Sequence, residues 1–366
     1  MNRRHMLIGA GSLLALGGAA AWAVRRQMGS SSSYREAMQA LRADLPVRPR
    51  DRDLIRFATL AANGHNTQPW LFSVAPDEIA IQPDFSRRTP VVDPDDHHLY
   101  ASLGCAAENL ALTAAARGRR GEPVFDDGGD GRILFAHQPA APRESALFAA
   151  IPRRQSTRAV YDGRPVSPAD LQSLADAAAI PGIDMVLITD RPQLDRVRDL
   201  VIAGNSAQMD DPDFIRELKA WLRFNPSQAI RAGDGLYSAA SGNPSLPDWL
   251  GPHAFDMVFT ARAENDKYAE QMRSSAGVAV FVAEQDDREH WMRAGRACQR
   301  FALQATALGL KCAFVNQPVE VTALRPELAV LAGLQGRRPN IVLRFGHGPT
   351  LPYAPRRPAE AVIRAA

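Results

Sequence analysis

The feature that most constrains the fold is an internal repeat of two alanine-rich segments. Residues 104–118 and 295–309 align without a gap at an offset of 191, with glycines at both ends and several interior alanines and leucines in common. Both segments have helical periodicity, and their small residues on one face permit close helix packing. We therefore predict two related units, each built around one of these segments as its central helix. Alternatively, two alanine-rich helices match through composition alone.

The segments that follow each repeat indicate a mixture of helices and strands. Residues 311–315 and 340–346 follow the second copy and are strand-like, and shorter strand-like segments at 122–125 and 132–136 follow the first. The chain has 366 residues, of which 46% are hydrophobic. It can therefore bury a substantial core, and its length fits two domains or two units of one domain.

Charge and motif content count against several functional classes. The net charge is only +3, and arginines alternate with acidic residues, so no continuous basic stripe for nucleic acid is present. Cys105, Cys298 and Cys312 lack C-x-x-C spacing and are predicted to pack as small buried hydrophobes. No G-x-S-x-G elbow is present, which counts against a hydrolase.

The N-terminal segment is typical of a targeting sequence. Arg3 and Arg4 precede an uncharged apolar run at residues 6–24, and a short serine-rich linker at 30–33 follows. The paired arginines resemble a twin-arginine export signal, which carries proteins that are already folded around a cofactor. We expect an exported protein, periplasmic or anchored in the membrane and facing outward, with a cytoplasmic location as the alternative. Export machinery or membrane would be contacted through this segment only.

A turn with the sequence Gly-His-Asn-Thr-Gln-Pro-Trp occupies residues 64–70. It follows a predicted helix at 53–62 and precedes a predicted strand at 70–74. Amide side chains beside an aromatic residue suit a flat heterocycle that forms hydrogen bonds, so we expect Asn66 and Gln68 to face a ligand. Alternatively, these residues only stabilise a tight turn.

Three motifs in this order resemble those of the flavin-dependent nitroreductase superfamily. The turn resembles its N-x-Q-P-W element, residues 151–158 (IPRRQSTR) resemble its R-x-S-x-R segment, and residues 355–358 resemble its basic C-terminal element. The resemblance is in particular to its Acg-like branch, in which two nitroreductase units are fused. The resemblance implies an α+β, nitroreductase-like fold, with two units forming a pseudo-dimer of mixed, mainly antiparallel sheets flanked by helices. It divides the chain at 34–145 and 146–366.

The resemblance also implies FMN as the cofactor and a site composed from both units. The second unit supplies the arginine-serine segment and the first supplies the amide turn. The corresponding segments at 178–184 and 48–52 lack these patterns, so we expect one FMN per chain. Alternatively, the arginines form a solvated charged turn. The residues implied to bind FMN are Arg154, Ser156, Arg158 and Arg356 at the phosphate, Asn63, Gly64, His65, Asn66 and Gln68 at the ring, and Asn316 and Gln317 at its far side.

The implied activity is FMN-dependent electron transfer to a small acceptor such as a nitroaromatic or a quinone, from an unidentified donor. The alternative is a non-catalytic protein that stores or sequesters FMN. No catalytic residue is assigned, and His97 and His98 are interpreted as part of a loop and not as metal ligands. An insertion near 205–256 is predicted to form a lid, with Phe224, Tyr237 or Trp249 covering the ring.

Overall fold

The computed structural model describes residues 25–364. The predicted signal at 6–24 lies outside these residues. The serine-rich segment is not a linker, because Ser30 caps a helix that starts at Ser31 and its Oγ accepts a hydrogen bond from the Ser33 amide at 3.0 Å. No helix between residues 25 and 364 combines the length and the apolar character needed to span a bilayer.

Helices and short strands alternate along the chain. The main helices of the described residues are α1 Ser31–Leu41, α2 Asp51–Ala58, α3 His97–Ala116, α4 Ala146–Ala150, α5 Pro168–Ala178, α6 Arg191–Met209, α7 Pro212–Ala220, α8 Pro226–Ala232, α9 Gly251–Val258, α10 Ala261–Arg273, α11 Arg288–Ala307, α12 Gln317–Glu320 and α13 Arg325–Leu331. The strands are β1 Trp70–Ala75, β2 Glu78–Pro83, β3 Arg119–Gly121, β4 Val124–Asp126, β5 Arg132–Pro139, β6 Ile183–Ile188, β7 Leu222–Arg223, β8 Leu236–Tyr237, β9 Gly277–Ala283, β10 Lys311–Phe314 and β11 Pro339–Gly346.

Two antiparallel sheets form the framework. In the first, β1 pairs with β2, β2 pairs with β5, and β5 pairs on its other side with β3 and β4. In the second, the order is β10-β11-β9-β6. A short parallel pair, β7 and β8, lies in the inserted region. The predicted α+β class with mainly antiparallel sheets is confirmed.

The second sheet is covered on both faces. Along β9, Val278, Val280 and Val282 pack into a cluster with α6 and α13, whereas Ala279 and Phe281 pack with α5 and α11. This alternation follows from the two-residue period of a strand. The first sheet packs against α3 through residues such as Ile79 and Phe135.

The repeated segments are the central helices α3 and α11, as predicted, and they pack against each other by close backbone contact. A Cβ at Gly104 would lie 1.9 Å from the Met292 carbonyl oxygen, and one at Gly295 would lie 1.9 Å from that of Ala101. Gly104 and Gly295 are 191 residues apart, and so are their partners Ala101 and Met292, which is the offset of the repeat. The contact is therefore reciprocal, as at a two-fold interface. The duplication itself stays a prediction.

Two local predictions are wrong. Helix α2 ends at Ala58 and not at residue 62, so the turn before β1 is longer than expected. His97 and His98 lie in the first turn of α3 and not in a loop. This helix starts there because the Asp93 carboxylate accepts hydrogen bonds from the amides of His98 and Leu99, at 2.9 and 3.0 Å.

Candidate functional site

The turn that precedes β1 has an uncommon backbone conformation. His65, Asn66 and Gln68 all have positive φ, of 45°, 56° and 55°. This left-handed region is unfavourable for side chains other than asparagine and glycine, so the turn persists only if other contacts hold it. One contact is internal, because the Asn63 Oδ1 accepts a hydrogen bond from the Gln68 amide at 2.9 Å.

The amide side chains of the turn form its remaining restraints. Asn66 Nδ2 donates to the carbonyls of Gly235 and Pro355, at 2.9 and 3.0 Å. Gln68 Nε2 donates to the Gly233 carbonyl at 2.9 Å, and its Oε1 accepts from the Arg357 amide at 2.8 Å. The expectation that these side chains are free to face a ligand is therefore wrong for this structure. They join the turn to the inserted region and to the C-terminal segment.

Arg356 is also committed to protein contacts. Its guanidinium donates to the Thr59 carbonyl at 2.7 Å, to the Ala61 carbonyl at 3.0 Å and to Asn66 Oδ1 at 2.6 Å. A cation that satisfies the carbonyls just beyond the end of α2 is favourable there. Arg356 thus differs from the prediction that it binds phosphate directly, because its donors are used by backbone carbonyls and by the Asn66 side chain.

A small cleft of about 60 Å³ gathers four arginines, Arg42, Arg154, Arg158 and Arg356, together with Ser156. No carboxylate of residues 25–364 lines it. Burial lowers the pKa of Arg42 to about 10. Burial, followed by the charges of Arg154 and Arg42, holds the pKa of Arg356 well below its ordinary value. Cations that lower one another's pKa without a carboxylate nearby form a site for an anion.

Arg154 is the arginine of this cleft whose unused donor is fully buried. Its side chain is buried, and Nη2 donates to the Leu60 carbonyl at 3.0 Å. Its Nε is buried and has no hydrogen-bond partner. A buried guanidinium donor without an acceptor is unfavourable, and a phosphate oxygen would satisfy it. Ser156, which bridges to Cys312 of β10, lies beside it in the cleft.

A larger cavity of about 330 Å³ adjoins the cleft and shares Ala62, Asn63, Arg158 and Phe314 with it. Its walls include Gly64, His65, Asn316 and Gln317, so the predicted ring-binding residues other than Asn66 and Gln68 surround one space. We call it the main cavity.

The two amide side chains in the wall of the main cavity differ in their hydrogen bonds. Asn316 Oδ1 accepts a hydrogen bond from the Val342 amide at 2.8 Å, which fixes its orientation. Gln317 Oε1 is buried and has no partner, so it is available to a donor on a ligand. Burial, followed by the charge of Arg158, lowers the pKa of His65 to about 4, so this imidazole is neutral at pH 7.

Residues in and next to the inserted region line part of the main cavity. Phe224, Phe255 and Phe259 line it, together with Leu222 and Leu236. Of the aromatic residues proposed to cover a ring, Phe224 lines this cavity, and the lid itself stays a prediction. Tyr237 lines the small cleft instead and packs against Tyr34, with ring centroids 4.4 Å apart. Trp249 is 66% exposed and lines neither space, so its predicted role is wrong.

The profile of the Nitroreductase family matches residues 151–347. The chain belongs to the nitroreductase family. The match covers the arginine-serine segment, the inserted region and the second sheet. The fold of this nitroreductase is accordingly the family's α+β arrangement of antiparallel sheets flanked by helices.

Two curated relatives from Mycobacterium tuberculosis (strain H37Rv) extend the similarity to both halves of this nitroreductase. “Putative NAD(P)H nitroreductase Rv3131” is 29% identical over 339 residues, covering 88% of this chain and 94% of the relative. “Putative NAD(P)H nitroreductase acg” is 24% identical over 326 residues, covering 85% and 94%.

Solved structures to which this chain is similar include two that are described as nitroreductases. The FMN-dependent nitroreductase NfnB from Mycobacterium smegmatis, in complex with NADPH, has 14% identity and a TM-score of 0.36, and covers 60% of this chain and 94% of that one. A nitroreductase with bound FMN from Desulfitobacterium hafniense DCB-2 has 14% identity and a TM-score of 0.39, with coverage of 61% and 100%.

Sequence reasoning about this nitroreductase missed Arg42. Arg42 follows α1 and its Nη2 donates to the Ala354 carbonyl at 3.2 Å, while its guanidinium lies 4.2 Å from the Tyr353 ring centroid. No local motif marks it, because it reaches the cleft only through the packing of α1 against the C-terminal segment.

Proposed function

We propose that this nitroreductase is an FMN-dependent oxidoreductase with one flavin site per chain. The observation that carries the proposal is the arginine cleft without a carboxylate, in which the buried Nε of Arg154 lacks an acceptor. A phosphate dianion suits this donor set. The relatives named as NAD(P)H nitroreductases support the reaction class.

The residues fit FMN in two parts. Arg42, Arg154 and Ser156 would hold the phosphate in the small cleft. Asn63, Gly64 and His65 would lie along the ring in the main cavity, and the unpaired Gln317 Oε1 would accept a hydrogen bond from it. When bound, FMN supplies the site for transfer of two electrons, and the protein supplies position and electrostatics.

The site is proposed to be composite and single. Residues 154–158 come from the second unit, whereas Arg42 and the turn come from the first. When the apo-protein is titrated with FMN and binding is monitored through the quenching of flavin fluorescence, the signal should saturate at one equivalent of FMN per chain. A ratio near two would contradict this.

The proposed acceptor is a small aromatic molecule, of the nitroaromatic or quinone type, because the main cavity has apolar and aromatic walls. The second candidate function is FMN storage without turnover. It is favoured by the aromatic side chains of Phe224, Phe255 and Phe259 in the cavity wall, which would pack on a bound ring.

Visible spectroscopy of the purified protein separates the two functions. Flavin bands that NADPH bleaches anaerobically would support a reductase that uses NADPH. Bands bleached only by dithionite would favour storage or another donor. Absence of flavin bands after incubation with FMN would contradict both.

We also propose export through the twin-arginine-type segment, with retention in the periplasm or at the membrane. Fractionation of cells that express the full chain, with and without Arg3→Lys and Arg4→Lys, tests this. The double variant should accumulate in the cytoplasm, and an unchanged distribution would contradict export by this route.

A further inference from the structure

A carboxyl group lies in the wall of the main cavity without a fixed positive charge beside it. Glu320 ends the short helix α12, and its side chain is 16% exposed. Gln208 Nε2 of α6 donates to Glu320 Oε2 at 2.6 Å. His98 Nε2 of α3 lies 3.6 Å from Glu320 Oε1. In the described part of the chain, no lysine or arginine nitrogen comes within 4.0 Å of this carboxyl group.

A role in stabilising the fold does not explain why a carboxyl group occupies this position. An ionised carboxylate in an apolar space is unfavourable unless a cation pairs with it, and three separate elements converge to place this one. Burial raises the pKa of Glu320 and lowers the pKa of His98. The other charged groups that act on Glu320 are Asp93, which raises its pKa, and Arg158, which lowers it.

The pair lies beside the turn that we place against the flavin. A Cβ on Gly64 would lie 4.0 Å from the His98 Cβ, and Gly64 and Glu320 line the same cavity. Away from the turn, the cavity is enclosed by Phe214, Phe255 and Phe259. An aromatic acceptor in this space would therefore have apolar contacts on its faces and one carboxyl group at its edge.

We propose that Glu320 donates a proton to a quinone that is reduced in the main cavity. This inference rests on the proposed function. The quinone receives two electrons and one proton as a hydride from the anionic form of reduced FMN, and its second proton comes from the Glu320 carboxyl group. The products are the hydroquinone, oxidised FMN and a Glu320 carboxylate, which then takes a proton from solvent. His98 and Gln208 position the carboxyl group.

The test compares two oxidants on protein that is loaded with FMN and reduced with dithionite. A water-soluble benzoquinone needs a proton, whereas ferricyanide accepts electrons only. In anaerobic stopped-flow measurements, Glu320→Gln should slow reoxidation by the quinone by about 100-fold or more, which is the usual contribution of a general acid. Reoxidation by ferricyanide should stay within about twofold of wild type, because it requires no proton.

The pH profile gives a second readout. With wild-type protein the quinone rate should fall as pH rises through the raised pKa of Glu320, because only the protonated carboxyl group can donate. Glu320→Gln should lack this descending limb. Substitution by glutamine keeps the shape of the side chain and the contact with Gln208, so a purely structural role would not remove the limb selectively.

Glu264 provides a matched control. Its side chain lines the same cavity and is also 16% exposed, but it lies 3.8 Å from Lys267. Glu264→Gln should leave the ratio of quinone to ferricyanide rates at the wild-type value. Equal rates for wild type and Glu320→Gln with the quinone, or equal losses with both oxidants, would overturn the inference. Wild-type flavin that ferricyanide reoxidises but the quinone does not would also overturn it. Failure of the wild-type protein to bind FMN would instead contradict the proposed function.

Discussion

Replacing Arg154 by alanine should weaken FMN binding while leaving most of the fold intact. One of its donors is used by the Leu60 carbonyl, and the buried Nε has no partner. The variant thus loses at least one charge-assisted hydrogen bond to phosphate, worth about 1.5 to 3 kcal/mol. Since about 1.4 kcal/mol corresponds to a tenfold change in Kd, the expected increase in Kd is roughly 10- to 150-fold.

Arg153→Ala is the matched control for this substitution. Arg153 is the neighbouring residue with the same charge, but it is exposed and its Nε donates to the Ala149 carbonyl at 3.2 Å. It does not line the small cleft. Its removal should change the Kd by less than about twofold, because an exposed charge is screened by salt.

The assay is titration of each apo-protein with FMN, followed by quenching of flavin fluorescence. Urea unfolding of the same apo-proteins shows whether a loss of affinity arises from a loss of structure. A Kd for Arg154→Ala within twofold of wild type would refute the assignment of the cleft to phosphate. An equal increase for Arg153→Ala would show that only net charge matters.

Three further substitutions test how the site is supported. Gly295→Ala should destabilise the fold by about 3 kcal/mol or more, because the new Cβ collides with the Ala101 carbonyl, and should lower the urea midpoint. Glu108→Ala should lower the free energy of unfolding by about 3 to 5 kcal/mol, since two arginines of α11 lose their buried partner; a loss below 1 kcal/mol in urea unfolding would contradict this. Gln68→Ala should release the loop at Gly233, so hydrogen exchange at 233–251 should quicken while exchange in β9 stays unchanged.

The sequence was sufficient for the framework because its signals are local and periodic. Both repeated helices, β1 and β11 occur where apolar periodicity predicts them. All three cysteines are buried, as small residues in helices and strands are expected to be. The extra strand β3 lacks such a pattern, since Arg119–Gly121 contains only arginines and a glycine.

The contacts of the site could not be predicted in the same way, because they join distant parts of the chain. The Asn66 amide is satisfied by carbonyls 169 and 289 residues further along. A turn motif specifies that such an amide needs partners, but it does not specify whether the partner is a ligand or the backbone of another segment. Arg356 was misplaced for the same reason, since its acceptors lie almost 300 residues away.

The proposal of a single flavin site is supported by a difference between α3 and α11. In the first copy, the Gly64 amide lies 3.3 Å from Ser102 Oγ of α3. The residue at the repeat offset from Ser102 is Arg293 of α11, and a Cβ on Gly182 would lie 3.3 Å from Arg293 Nη1. This supports the equivalence of the turns at 64–70 and 178–184. A small serine leaves room for a ligand beside the first turn, whereas a long arginine side chain occupies the same place beside the second.

Under the same proposal, a second phosphate site is also disfavoured. The segment at 48–52, which would correspond to the arginine-serine segment, opens α2 with Asp51, and this carboxylate pairs with Arg119. A carboxylate at that position would repel a phosphate dianion. For the same reason, the absence of carboxylates from the lining of the small cleft favours phosphate binding there. Under the proposal of a single site, building a second flavin site would require removal of Arg293 and of Asp51, as well as an amide turn at 178–184. Introducing one asparagine and one glutamine into the turn at 178–184, with no other change, should leave the FMN stoichiometry at one per chain.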